Sequence, residues 1–102
     1  MIGKYKVITL CGSTKFNEEF LKEQERLTLE GNIVLSVVMF THQKEGVFSE
    51  VTKKMLDDMH KRKIDISDEI FVINKGGYIG SSTKSEIEYA TKNGKKVNYL
   101  EN

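Results

Sequence analysis

Two short segments concentrate the side chains suited to chemistry on sugars and phosphates: CGSTKF at residues 11–16 and NKGGYIGSSTKSE at residues 74–86. In the first, Gly12 directly follows a β-rich run, where the missing Cβ lets the backbone turn tightly against a ligand. Ser13, Thr14 and the free N–H groups opening the next helix then become donors to a phosphate or a sugar hydroxyl. The segment is neither a Walker A loop nor a G-x-G-x-x-G fingerprint. A strand-to-helix turn capped by a serine or threonine is the plain alternative. In the second segment Gly76, Gly77 and Gly80 are interleaved with Tyr78 and lead to Ser81, Ser82 and Thr83. They precede a helix whose exposed amides and dipole favour an anion. The loop is also longer than the roughly 2–6 residues that such a connection needs. Tyr78 is placed either to stack on a base or to pack over the loop.

Glu86 and Glu88 fall in the first turns of that last helix. One reading is local: Glu86 follows Thr83, and Glu88 follows Ser85, at capping-box spacing. The other is chemical: a carboxylate at a helix N-terminus stays ionised and attacks a sugar's anomeric carbon. Asp57, Asp58, His60 and Asp65 supply further acid–base groups from DDMHKRKID, although charge-rich helical segments are usually solvated faces. His42, His60 and Cys11 show no metal-ligand spacing along the chain, and no Ser/His/Asp order is evident. Neither a metal nor a cofactor is expected.

These residues must be positioned by a regular alternation of strands and helices. YKVITLC, residues 5–11, is a short strand ending at Gly12. Residues 17–30 form a helix with Phe16, Phe20 and Leu27 on one face and Gly31 as its stop. IVLSVVMF, residues 33–40, is almost continuously apolar, as expected of a parallel strand covered on both faces. Residues 41–48 form a polar loop around Gly46. Ser49 caps a second helix in which Val51, Met55 and Met59 recur at four-residue spacing. IFVIN, residues 70–74, is the third strand, a helix spans about residues 83–93 with Gly94 as its stop, and KVNYL closes the chain.

Strands alternating with helices pair in parallel through crossovers. Four of them take the order 2-1-3-4, giving a small three-layer Rossmann-like or flavodoxin-like α/β domain with helices on both faces, one domain over residues 1–102. Winding then reverses between strands 1 and 3, and ligands of open α/β sheets bind beyond the strand ends at such a point. The two hydroxyl-rich loops leave those two strands, so topology and composition mark the same crevice.

Bulk properties agree with a small globular domain. The chain has 102 residues, 38% hydrophobic and 30% charged, with 16 basic residues against 15 acidic ones. This near-balance removes the general electrostatic case for duplex nucleic acid. No apolar run approaches the roughly 20 residues that span a bilayer, and the start is too short in apolar residues for a secretory signal. The single cysteine excludes an intrachain disulfide and fits the reducing cytoplasm.

VITLCGSTKF, residues 7–16, and GYIGSSTKSEIEYATKNGKKV, residues 77–97, together resemble the nucleoside 2-deoxyribosyltransferase superfamily, which includes the 2'-deoxynucleoside 5'-monophosphate N-glycosidases. The resemblance runs from Val7 to Leu100. It implies cleavage of a base–sugar bond through a covalent glycosyl–enzyme intermediate, with water or a second base as acceptor. It implies Glu86 as nucleophile, Gly12 and Ser13 as the sugar- or phosphate-contacting turn, and Ser82 and Thr83 near a 5'-phosphate; the composition of the two loops adds Thr14, Gly77 and Gly80 as substrate-binding positions. The resemblance also implies His60 or Asp57 as the group protonating the leaving base, and self-association into homo-oligomers. Thr9 stands where the family commonly has a tyrosine, His60 where it has an aspartate, and Gly80 where it often has an aspartate or serine. A module that binds nucleotides without cleaving them is the alternative that these departures motivate. The glycine loop bears a weaker resemblance to the glycine-threonine-glutamate loop of phosphoribohydrolases, with longer spacing.

Overall fold

A computed structural model of the chain describes residues 3–38 and 49–102. Its elements are β1 (Lys6–Gly12), a 3-10 turn (Thr14–Phe16), α1 (Asn17–Leu29), β2 (Asn32–Leu35), α2 (Glu50–Asp65), β3 (Glu69–Ile73), a second 3-10 turn (Lys75–Gly77), α3 (Ser81–Lys92) and β4 (Lys96–Tyr99). All strand pairs are parallel and the order is β2-β1-β3-β4, as the alternation predicts. The sheet is registered through Val7 on Ile33, Cys11 on Val72 and Val72 on Tyr99.

Alternation along β1 and β3 sorts their side chains between two layers. Ile8 and Leu10 join Phe71 and Ile73 beneath Phe20 and Leu27 of α1, with Phe16, Val34 and Leu100 at the margin. On the opposite face Cys11, Ile70 and Val72 pack with Ile64 of α2 and Ala90 of α3. The chain is thus a three-layer α/β domain with α1 on one face and α2 and α3 on the other. β3 is buried at every position from Glu69 to Ile73, as a central parallel strand is.

Three sequence expectations are corrected. β2 ends at Leu35, and Ile33 and Val38 are both about half exposed. Val34 packs against the α1 cluster, whereas Ile33 on the opposite face stays about half exposed, so the apolar run does not signify cover on both faces; Met39 and Phe40 lie outside the described residues. In α2 the buried stripe is His60 and Ile64, with Thr52 and Leu56 half-buried above them. Val51, Met55 and Met59 are exposed, one position out of phase. Four-residue spacing holds for both rows, and only the sheet beneath selects between them. Finally, α3 begins at Ser81, two residues before Thr83, and its N-cap is Gly80. The loop around Gly46, and His42 within it, lie outside the described residues.

Candidate functional site

The crevice is built by how closely β1 and β3 approach at their carboxyl ends. Gly12 has φ of 149°, and a Cβ there would stand 2.8 Å from the Ile73 carbonyl oxygen. Only glycine fits, so β1 can end flush against β3 and release the chain into the 3-10 turn. Ser13 caps that turn by accepting a hydrogen bond from the Lys15 amide. The β3 loop is held at its base by Asn74, whose Nδ2 donates to the Glu101 carbonyl and whose Oδ1 accepts from the Glu101 amide. The Gly76 amide donates to the Glu101 carboxylate, and Lys75 pairs with Glu19 of α1 at 2.9 Å. The two loops meet where the Lys15 ammonium lies 3.5 Å from the centre of the Tyr78 ring and Phe16 meets that ring edge-on at 6.0 Å. Tyr78 therefore packs over the loop and is also on the cavity wall.

Between these loops and α2 lies a cavity of about 490 Å³, within the range of small-molecule sites. Its lining separates by chemistry. Val37, Val38, Leu56 and Met59 present apolar surface, whereas Gly12, Ser13, Thr14, Gly80, Ser81, Ser82 and Thr83 form a rim of hydroxyls and backbone amides. The first helical hydrogen bond of α3 runs from the Lys84 amide to the Gly80 carbonyl, and no side chain caps the helix. The amides of Ser81, Ser82 and Thr83 therefore have no intrahelical acceptor. With Gly80 as N-cap, Thr83 and Glu86 cannot form the capping box that their spacing allows. They share the buried face of α3 with Ala90.

Glu86, His60 and Cys11 converge at the inner end of this cavity, from α3, α2 and β1. Cys11 Sγ lies 3.4 Å from His60 Nε2, and His60 Nε2 lies 3.8 Å from Glu86 Oε1. Their relative exposures are 0%, 5% and 7%. Burial sets their protonation. It pushes the Cys11 thiol well above its ordinary range, reinforced by the Glu86 charge. It pushes Glu86 up to about 7, opposed by a hydrogen bond from Cys11 and assisted by Asp57. It lowers His60 to about 4, with Lys63 adding to the effect. Near neutral pH the site holds a thiol, a neutral imidazole and a carboxyl close to half ionisation. The His60–Glu86 contact is consequently not an ion pair.

The structure gathers nearly all the expected positions. Gly12, Ser13, Thr14, Asp57, His60, Gly80, Ser82, Thr83 and Glu86 line the cavity. Gly77 does not: it is exposed in the second 3-10 turn, short of the point where the loop reaches the cavity. Glu88 is exposed, Asp58 is exposed and pairs with Arg62, and Asp65 accepts from Tyr89 Oη and pairs with Arg62. Thr9 is buried away from the cavity, hydrogen-bonded to the Ser67 hydroxyl and the Lys63 carbonyl. Lys63, whose ammonium donates to the Ser36 carbonyl, and Cys11 are part of the region that sequence reasoning missed. The signals for them were the helical step from His60 to Lys63 and the strand alternation that turns Cys11 toward α2 and α3. No protein-family model matches the chain, and no curated protein matches it. Among the described residues, no helix is long and apolar enough to cross a membrane.

Proposed function

We propose that this protein cleaves the base–sugar bond of a nucleoside or nucleotide, with Glu86 as nucleophile. The observation that carries the reading is the position of Glu86: a buried carboxyl at the inner end of a cavity whose rim is made of hydroxyls and unpaired helix amides. The Glu86 carboxylate attacks C1', the C1'–N bond breaks, and the departing base takes up a proton as the Glu86–sugar ester forms. Water, or a second base, then attacks C1' and restores the carboxylate. The rim from Gly12 to Thr14 and from Ser81 to Thr83 holds sugar hydroxyls and a 5'-phosphate, and the apolar wall receives the base. His60, 3.8 Å from Glu86 Oε1, walls the carboxyl off from water, and Asp57 at the cavity edge relays a proton from solvent to the departing base. The resemblance of residues 7–16 and 77–97 to the nucleoside 2-deoxyribosyltransferase superfamily supports the same assignment. On this reading the protein is cytoplasmic and self-associates, with the exposed Val51 and Met55 of α2 available for a second copy.

The placement of Thr9 favours a second reading, binding without cleavage: it stands where the superfamily commonly has a tyrosine that positions the nucleophile, and its hydroxyl is engaged by Ser67 and the Lys63 carbonyl away from the cavity. Incubation with a panel of ribo- and deoxyribonucleotides, followed by chromatography for free base, separates the two. Release abolished in Glu86→Gln with binding retained establishes the enzyme. Saturable binding with no release from any substrate establishes the module.

A further inference from the structure

The Cys11–His60–Glu86 group has a property that base–sugar cleavage does not use. Three lone-pair atoms of different kinds, a sulfur, an imidazole nitrogen and a carboxylate oxygen, lie within 4.8 Å of one another and all three residues are buried. They come from three separate elements, β1, α2 and α3, each fixed by the packed core: Cys11 belongs to the cluster containing Ile64 of α2 and Ala90 of α3. His60 Nδ1 is buried without a hydrogen-bond partner, while Nε2 faces Cys11 Sγ at 3.4 Å and Glu86 Oε1 at 3.8 Å.

On a tetrahedral zinc ion with bonds of about 2.0–2.3 Å, neighbouring donor atoms stand about 3.4–3.6 Å apart. The two measured edges, 3.4 Å from sulfur to nitrogen and 3.8 Å from nitrogen to oxygen, lie at or just beyond that range. The third edge, from sulfur to carboxylate oxygen, is within 4.8 Å, so binding of all three to one ion requires the Glu86 carboxyl to turn toward Cys11. The donor set also discriminates: thiolate and imidazole suit borderline-soft ions and do not suit magnesium or calcium, which take oxygen ligands. His60 and Glu86 line the cavity while Cys11 lies behind them. A fourth coordination position consequently faces the cavity.

We propose that Cys11, His60 and Glu86 form a three-ligand site for a borderline-soft divalent cation, zinc foremost, with an open fourth position toward the cavity; the Cys11 thiol proton, and any proton on Glu86, pass to solvent as the Zn–S and Zn–O bonds form. Ion binding engages the Glu86 oxygen that the glycosidase reading assigns to C1', so the two uses of the carboxyl exclude each other. Zinc then acts as a reversible inhibitor of base release.

The test uses the full chain, stripped with a chelator, kept reduced and titrated with cobalt(II) as a spectroscopic probe. The expected result is one ion per chain, tetrahedral ligand-field bands and a thiolate-to-cobalt charge-transfer absorption, all displaced by zinc. The chain has a single cysteine, so a thiolate band arises from Cys11 even if Cys11→Ser fails to fold. Where the variants keep their circular dichroism, Cys11→Ser removes that band. His60→Gln and Glu86→Gln each weaken zinc binding by roughly a hundredfold or more, beyond the loss typical of an outer partner. Cobalt bound without a thiolate band, or zinc affinity unchanged in all three variants, overturns the site. Base release is a separate readout: binding of one zinc through Cys11 without cleavage supports the site and counts against the glycosidase. Cleavage without zinc binding does the reverse.

Discussion

The two faces of the sheet are built from the same strands and do different work. Toward α1, the strands present Ile8, Leu10, Phe71 and Ile73, and the helix returns Phe20 and Leu27. The one buried charge on this face, Glu69, sits at the start of β3, where it pairs with Lys6 and accepts from Asn98; the cluster beneath α1 is apolar. Toward α2 and α3, the same strands present Thr9 and Cys11 beside Ile70 and Val72, and the helices return His60, Thr83 and Glu86 beside Ile64 and Ala90. The second face thus buries a thiol, an imidazole and a carboxyl, each displaced from its ordinary protonation by the loss of water. Buried polar groups of this kind cost stability. The α1 face supplies the apolar packing that offsets that cost, which leaves the other face free to hold reactive groups. The comparison assigns stability to one face and chemistry to the other.

Substitutions on opposite faces break that assignment most sharply. Glu86→Gln is expected to lower base release on the order of a thousandfold or more, with thermal stability preserved. Phe20→Ala is expected to cost about 3–5 kcal/mol of unfolding free energy through the cavity it leaves, without altering the rate per folded molecule. Denaturant titration together with a base-release assay checks both. A Phe20→Ala protein with intact stability, or a Glu86→Gln protein with intact activity, would erase the distinction.

The pH dependence of stability sharpens it next. Glu86 has its folded ionisation raised to about 7 from 4.5. Its contribution is complete below about 4.5 and is lost as pH rises through about 7. His60 is lowered from 6.5 to about 4, so its contribution is present above about 6.5 and is lost as pH falls through about 4. In the metal-free protein the two trends oppose each other. Glu86→Gln leaves only the histidine, and stability should fall by about 3 kcal/mol as pH is lowered from about 6.5 to about 4. His60→Gln should lose a similar amount as pH is raised from about 4.5 to about 7. Parallel stability curves for the two variants would show that neither group is desolvated as described. Base release, which needs ionised Glu86, should rise with pH through about 7 and lie roughly a hundredfold below its plateau at about pH 5.

The smallest effect concerns the loop contact that joins the two sides of the cavity. Lys15→Ala removes an ammonium 3.5 Å from the centre of the Tyr78 ring and 5.3 Å from that of Phe16. The expected cost is about 0.5–1 kcal/mol in thermal unfolding, with a severalfold rise in KM and kcat retained. A change in kcat instead would place Lys15 in the chemistry.

The strand order, the crevice and most of its lining are legible in the sequence because they follow from topology and from local composition. Gly12, Ser82 and Thr83 stand out as glycine or hydroxyl groups at strand or helix ends, where backbone amides are free. What was not legible depends on contacts between distant elements. The phase of α2 is such a case, since Val51-Met55-Met59 and Leu56-His60-Ile64 have the same spacing and differ only in which row meets the sheet. Cys11 is another: no linear spacing relates it to His60 and Glu86, which approach it through two crossovers. The capping-box spacing of Thr83 and Glu86 misled for the opposite reason. Local sequence permits it, but the chain enters α3 at Gly80, so Glu86 lies a turn deeper and faces the cavity.

The most direct test of the central claim is to trap the covalent species. Protein quenched in acid during turnover of a nucleotide substrate, then digested and analysed by mass spectrometry, should carry the sugar phosphate on the peptide containing Glu86, and Glu86→Gln should carry none. Free base released with no adduct on that peptide, or with the adduct on another residue, would contradict the assignment of Glu86 as nucleophile.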